Sequence, residues 1–213
     1  LSMSLGAGET TPLRMATAYS MIVNGGKKIT ATFIDRIQDR RGHTLFRHDN
    51  RGCGDCLNQS WADQAPPVIP DTRPQVIDPG TAYQMVSIME GVVQRGTAMK
   101  LKVLERPIAG KTGTTNDEKD GWFIGFTPDL VVGVYLGFDN PSPMGHGETG
   151  GNVSAPVVRD FFKIALADQP VALGALAPDL LRPVGRAPDL GVFELARDFL
   201  EPFLLGVVLK DTP

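Results

Sequence analysis

The feature that most constrains this chain is a run of three strand-like segments with almost nothing between them: Ile108–Thr115, Gly121–Thr127 and Leu130–Phe138. Five residues separate the first pair and two separate the second. A parallel pair needs a crossover of about a dozen residues or more, so connections this short force antiparallel pairing between chain neighbours. Helix signals stand on both sides of the run. Thr11-Pro12, followed by Leu13, Ala16, Tyr19, Ser20 and Val23, reads as a helix opened by a hydroxyl cap and a proline and closed by Asn24-Gly25-Gly26. Asp78-Pro79 opens a second helix with apolar Ala82, Met85, Val86, Met89 and Val93, ending near Gly96. Ser154 is expected to cap a third, running to about Asp168, whose Val157, Val158, Phe161, Phe162, Ile164 and Ala165 make a broad apolar face for the sheet. The pattern predicts an α+β fold, an antiparallel sheet flanked by helices.

The remaining segments add little core. Lys28–Gln38 is rich in β-branched residues, and with Thr44–Arg47 across the turn Asp39–Gly42 it predicts a hairpin. Residues 49–74, rich in Gly, Pro and Asp, read as a long surface loop or insertion. Prolines recur through residues 169–213, where the one helix-like stretch is Leu190–Leu200. At 213 residues the chain is long enough for one domain or most of a larger one. Its 21 basic and 24 acidic residues leave a net charge of −3 without a long basic run, so nucleic acid is not an expected partner. The apolar run Phe203–Leu209 is far shorter than the roughly 20 residues of a spanning helix, and Leu1–Leu5 has no secretory-leader pattern.

Chemistry concentrates in Lys111-Thr112-Gly113-Thr114-Thr115, on the first of the three strands. A glycine lets a ligand lie against the backbone, hydroxyls donate hydrogen bonds, and an ammonium supplies a point charge that can also move a proton. Together they suit a site that holds a carboxylate and polarises a carbonyl. On spacing alone the same residues also fit an ordinary edge strand. Trp122 and Phe123 are expected in the sheet core rather than as a substrate platform. Gly145–Gly151 lacks the G-K-[ST] ending of a phosphate loop, so it reads as a flexible loop near the site mouth, with His146 and Glu148 solvated rather than catalytic.

The blocks Ile108–Asp117, Gly121–Asp129 and Gly133–Asn140, preceded by Leu1–Leu13, Ala18–Met21 and Asn24–Gly26, closely resemble the transpeptidase domain of class A, bifunctional penicillin-binding proteins. The resemblance runs from about residue 1 to about residue 167. It implies the β-lactamase/transpeptidase type of fold, with the active site between an all-helical region and the edge strand carrying K-T-G. It also implies a peptidoglycan D,D-transpeptidase that cross-links stem peptides through a serine acyl-enzyme and is acylated by penicillin. Enzymes of this kind use S-x-x-K, S-x-N or Y-x-N, and K-T-G. Here Ser2, Ser4, Ser20, Ser60, Ser87, Ser142 and Ser154 all lack a lysine three residues on, and neither S-x-N nor Y-x-N occurs. Residues 1–168 are therefore expected to be the C-terminal part of such a domain, without its N-terminal helical part and inactive alone, and 169–213 an unassigned tail. The alternatives are a non-catalytic scaffold on the same fold, opposed by the intact K-T-G-T, and a serine β-lactamase, opposed by the blocks around Gly121–Asn140.

By the same resemblance, Lys111 keeps the carboxylate pocket positive and supports proton transfer. Thr112 and Thr114 hold the substrate carboxylate, the Thr114 N–H is an oxyanion donor, and Gly113 keeps the strand open to the ligand. Catalytic roles thus fall on Lys111 and Thr114, and substrate-binding roles on Thr112, Gly113 and Thr114, with no cofactor or metal required. The implied partners are D-Ala-D-Ala stem peptides, β-lactams and the N-terminal remainder of the same domain, with self-association of the chain alone. The implied location is the periplasm, attached to the inner membrane by an N-terminal helix outside this sequence. In that oxidising compartment Cys53 and Cys56 read first as a local disulfide. A zinc site of His43, His48, Cys53 and Cys56 is the other reading, although the spacing fits no common zinc module. A thioredoxin-like role lacks its βαβ context.

Overall fold

Alternation along two strands determines how the molecule is layered. The computed structural model describes residues 8–51 and 69–171, with the backbone of 203–205. Strands β3 (Ala109–Thr114), β4 (Asp120–Phe126) and β5 (Leu130–Gly137) pair antiparallel in chain order, as the short connections require. Side chains alternate between the faces of a strand. Ile124, Phe126 and Val131 point to one face and pack with Ala16, Val23, Ala82, Val86 and Met89 of helices α1 (Pro12–Val23) and α2 (Pro79–Arg95). Phe123, Leu130 and Val132 point to the other and pack with Ala155, Val158 and Phe162 of helix α3 (Gly150–Ala165) and with Val93 and Leu101. Two helices therefore cover one face and a third covers the other, the α+β sandwich that the pattern predicts.

The caps of the first two helices follow the sequence signals. Thr11 Oγ1 accepts from Arg14 N at 3.3 Å and Asp78 Oδ1 from Thr81 N at 2.9 Å, each with proline at the first helical position. The third departs from expectation. Helix α3 begins at Gly150, with Thr149 at the N-cap position but making no side-chain cap bond, and Ser154 lies inside it, fully buried, its hydroxyl donating to the Gly121 carbonyl at 2.8 Å. The expected apolar face is also narrower: Val158 and Phe162 are buried, but Val157 and Ile164 are exposed. Trp122 and Phe123 bear out their reading as sheet residues. Phe123 is fully buried, and Trp122 is half-buried and packs on Tyr135 with ring centroids 4.8 Å apart.

The hairpin forms with β2 (Thr44–Arg47) over the expected residues, but β1 (Arg36–Gln38) is shorter than expected. Lys28–Asp35 does not extend β1, because β2 ends opposite Arg36; Lys28 N instead donates to Pro74 O at 2.8 Å. That contact ties the hairpin stem to the far end of the 49–74 segment. Asp71 reinforces it by meeting Lys27 Nζ at 2.6 Å and Arg73 Nε at 3.0 Å. Two elements had no sequence signal. A 3-10 helix, Met99–Leu104, follows α2, and β6 (Phe203–Leu205) pairs parallel with β5, bringing the tail to the sheet edge opposite β3. Cys53 and Cys56 lie outside the described residues, as does the helix-like stretch Leu190–Leu200. Of the alternative zinc ligands, His43 is held by Asp39, whose Oδ2 lies 2.9 Å from Nδ1. Among the described residues no helix is long and apolar enough to cross a membrane.

Candidate active site

Sheet order β3–β4–β5–β6 leaves β3, and with it Lys111, Thr112, Gly113 and Thr114, on an edge. Which main-chain groups face that edge follows from one hydrogen bond. Thr115 N donates to Asp120 O at 3.3 Å, so residues 115, 113 and 111 direct their N–H and C=O toward β4. Thr112 and Thr114, in alternate positions, turn theirs to the unpaired side. The edge thus offers the Thr114 N–H and the Thr112 N–H and C=O beside the two hydroxyl-bearing side chains. Lys111 is exposed and donates from Nζ to Thr112 O at 2.8 Å, which keeps its ammonium against this edge.

The first turn of α3 sits directly behind Thr114. Gly150 N donates to Thr114 Oγ1 at 3.0 Å, so the threonine hydroxyl satisfies one of the helix's otherwise unpaired N-terminal amides. Glycine is required there: a methyl at position 150 would run into the carbonyl oxygens of Gly113 and Trp122. The positive end of a helix dipole therefore lies against Thr114 on the K-T-G strand, where it favours an anion. Because the Thr114 oxygen accepts from Gly150, its own hydrogen remains available to a ligand.

The glycine-rich segment before α3 is fastened rather than loose. Glu118, in the β3–β4 connection, accepts from Gly147 N through Oε2 at 2.9 Å and from Met144 N through its carbonyl at 3.0 Å. Glu118 and its neighbour Asp117 adopt positive φ, 54° and 62°, to make that reach. The expectation of a flexible loop over 145–151 is corrected accordingly: its last two residues are helix, and its centre is bonded to the turn after K-T-G. His146 is exposed and Glu148 half-buried, and neither approaches the K-T-G residues through any hydrogen bond seen among the described residues.

Two contributors escaped the sequence reading. Gly150 has the sequence look of a loop residue but donates to Thr114, and Thr97, just past α2, carries no motif, yet its Oγ1 lies 2.7 Å from Thr112 Oγ1. No local pattern announces either contact, since each joins segments far apart in the chain. The four expected site residues, contiguous in the chain, all lie on edge strand β3.

A helix-flanked antiparallel sheet with K-T-G on its edge strand is the arrangement that the sequence resemblance led us to expect. The family model described as the penicillin binding protein transpeptidase domain matches residues 1–163, and the chain belongs to that family. Penicillin-binding protein 1A of Rickettsia prowazekii (strain Madrid E) is 44% identical over 183 residues, covering 85% of this chain and 23% of that protein. Penicillin-binding protein 1A of Neisseria gonorrhoeae is 47% identical over 167 residues, covering 78% of this chain and 19% of that protein. Among solved structures, penicillin-binding protein 1A from Haemophilus influenzae superposes with a TM-score of 0.64 at 30% identity, over 80% of this chain and 28% of that one. The chain thus spans about a fifth to a quarter of the length of the curated relatives it matches.

Proposed function

We propose that residues 1–168 form the K-T-G wall of a peptidoglycan D,D-transpeptidase site whose nucleophilic serine belongs to sequence outside these 213 residues. The observation that carries this reading is the edge-strand placement of Lys111–Thr114 with the α3 N-terminus behind it. The lack of any S-x-x-K in the chain, and its span of under a quarter of the rickettsial relative, support assigning the serine elsewhere. In the longer parent protein, the serine attacks the carbonyl of the D-Ala-D-Ala bond, D-alanine leaves, and the acyl group passes from the serine ester to an amine. Thr114 N–H, on the open edge, donates to the oxyanion that forms on attack. The hydroxyls of Thr112 and Thr114 hold the terminal carboxylate, and Lys111 supplies positive charge there and supports proton transfer. Gly113 keeps the strand free of a side chain where the ligand lies.

The exposed apolar residues Ile88 and Val103 suit cover by the remainder of the domain, and self-association follows when the chain stands alone. The periplasm, with attachment to the inner membrane, is the location that fits this substrate. The experiment is acylation of the parent protein by penicillin. Lys111→Ala and Thr112→Val each slow it by more than tenfold while the thermal midpoint stays within about 3 °C, because both side chains lie on an edge and fill no core. Rates within about threefold of wild type refute the roles assigned.

A further inference from the structure

Three elements meet at the Thr97–Thr112 hydroxyl pair. Thr97 follows Gly96, the cap of α2, and its Oγ1 stands 2.7 Å from Thr112 Oγ1 on the K-T-G strand. The first turn of α3 closes in from the other side: a methyl at position 151 would lie 2.5 Å from the Thr97 carbonyl oxygen and 3.7 Å from Thr112 Cγ2. A second link holds the same junction. Lys100 Nζ donates to Asn152 Oδ1 at 2.9 Å, and Asn152 Nδ2 donates to Gly147 O at 2.7 Å.

We infer that Thr97 is a positioning residue for a ligand carboxylate, its hydroxyl donating to Thr112 Oγ1 and so committing the Thr112 hydrogen to the ligand. The inference rests on the function proposed above. Each hydroxyl has one hydrogen and two lone pairs, so two hydroxyls at 2.7 Å use one hydrogen between them and keep one to give outward. A carboxylate only accepts. For Thr112 to bind it, the Thr112 hydrogen must point at the carboxylate, and the hydrogen between the pair must come from Thr97. Thr114 is oriented by the same logic, with Gly150 N–H as the donor behind it at 3.0 Å. Both hydroxyls of the clamp then have an assigned donor at their back, one from a side chain and one from the main chain. Without Thr97, the Thr112 hydroxyl loses that donor and must be oriented by the ligand alone, which weakens its bond to a charged acceptor.

The test compares Thr97→Val and Thr97→Ser in the parent protein, using the second-order acylation rate constants for a penicillin and for its methyl ester. Removing one hydrogen bond that supports a charged acceptor is expected to lower the rate with the acid about tenfold in Thr97→Val. The ester, which presents no carboxylate, changes by less than about twofold, and Thr97→Ser stays within about twofold of wild type on both. Equal losses for acid and ester in Thr97→Val, an unchanged rate with the acid, or failure of serine to restore the rate overturns the inference. Thr97→Ala probes the same hydroxyl if the valine variant does not fold. A wild-type protein that takes up no penicillin at all overturns the functional reading instead.

Discussion

Gly150 is where fold and site depend on the same atom, and Gly150→Ala is the perturbation that exposes this. A Cβ at that position collides with the Gly113 and Trp122 carbonyl oxygens and lies 3.0 Å from Trp122 N, all of them backbone atoms that cannot rotate away. Relief requires the first turn of α3 to withdraw from the β3–β4 pair by about 1 Å, the gap between such a contact and ordinary van der Waals separation. The 3.0 Å bond from Gly150 N to Thr114 Oγ1 then stretches to about 4 Å and is lost. Overpacking costs about 1–3 kcal/mol and the bond about 1 kcal/mol, together about 3 kcal/mol. At about 2–4 °C per kcal/mol for a domain of this size, the thermal midpoint falls by about 6–12 °C. Scanning calorimetry of the parent protein measures it, and the acylation rate of the same variant falls as the helix end leaves Thr114. Gly147→Ala is the control: its φ of 84° brings backbone strain of about 1–2 kcal/mol, but its Cβ meets nothing within 4 Å. A Gly150→Ala midpoint within about 2 °C of wild type refutes the claim that the helix end is seated on the K-T-G strand.

Gly113→Ala separates stability from activity in the opposite sense. Its Cβ meets Trp122 Cβ at 3.2 Å, a contact that small shifts relieve at a cost of about 1 kcal/mol, while a methyl on the ligand track slows penicillin acylation more than tenfold. Rate and midpoint falling together, as for Gly150→Ala, would contradict that assignment. Asp71→Asn tests the anchor of the hairpin stem. Burial by itself raises the Asp71 pKa, but hydrogen bonds from Arg73 and Lys27 outweigh it and hold the carboxyl well below the usual carboxylate range. A folded-state pKa below the unfolded value means that the stabilisation is complete above about pH 5 and lost as pH falls through the folded value. The variant is therefore less stable by about 2 kcal/mol at pH 7, and the difference narrows steadily below about pH 4. A difference that stays constant or grows on acidification refutes the ion-pair account.

What the sequence revealed, and what it hid, divide along the line between local and distant contacts. The β3–β5 meander was legible because connections of five and two residues allow only one kind of pairing, and Thr11-Pro12 and Asp78-Pro79 announced their helices through local capping. Lys111–Thr114 was legible as a candidate site, and its edge position agrees with what the resemblance implied. The start of α3 was misread because Ser154 has the look of a cap and Gly150-Gly151 the look of a loop. Glycine is poor in a helix by propensity, yet here the close approach of helix to strand excludes any larger residue, and tertiary packing prevails. Ser154 looks inward for the same reason: four residues into the helix, it meets the Gly121 carbonyl rather than solvent. Lys28–Asp35 has strand-like residues but no strand opposite them. Thr97 carried no signal at all, because its partner lies fifteen residues away across a chain reversal.

The central claim is that this chain supplies the clamp and an oxyanion donor of a serine acyltransferase, but not the nucleophile. Intact-mass spectrometry with peptide mapping after incubation with a penicillin tests it most directly, applied side by side to the parent protein and to these 213 residues. The account predicts one penicillin per parent molecule, on a serine followed three residues on by lysine and lying outside this chain, and no adduct on the 213-residue chain. A stable adduct mapped to any of Ser2, Ser4, Ser20, Ser60, Ser87, Ser142 or Ser154 contradicts it.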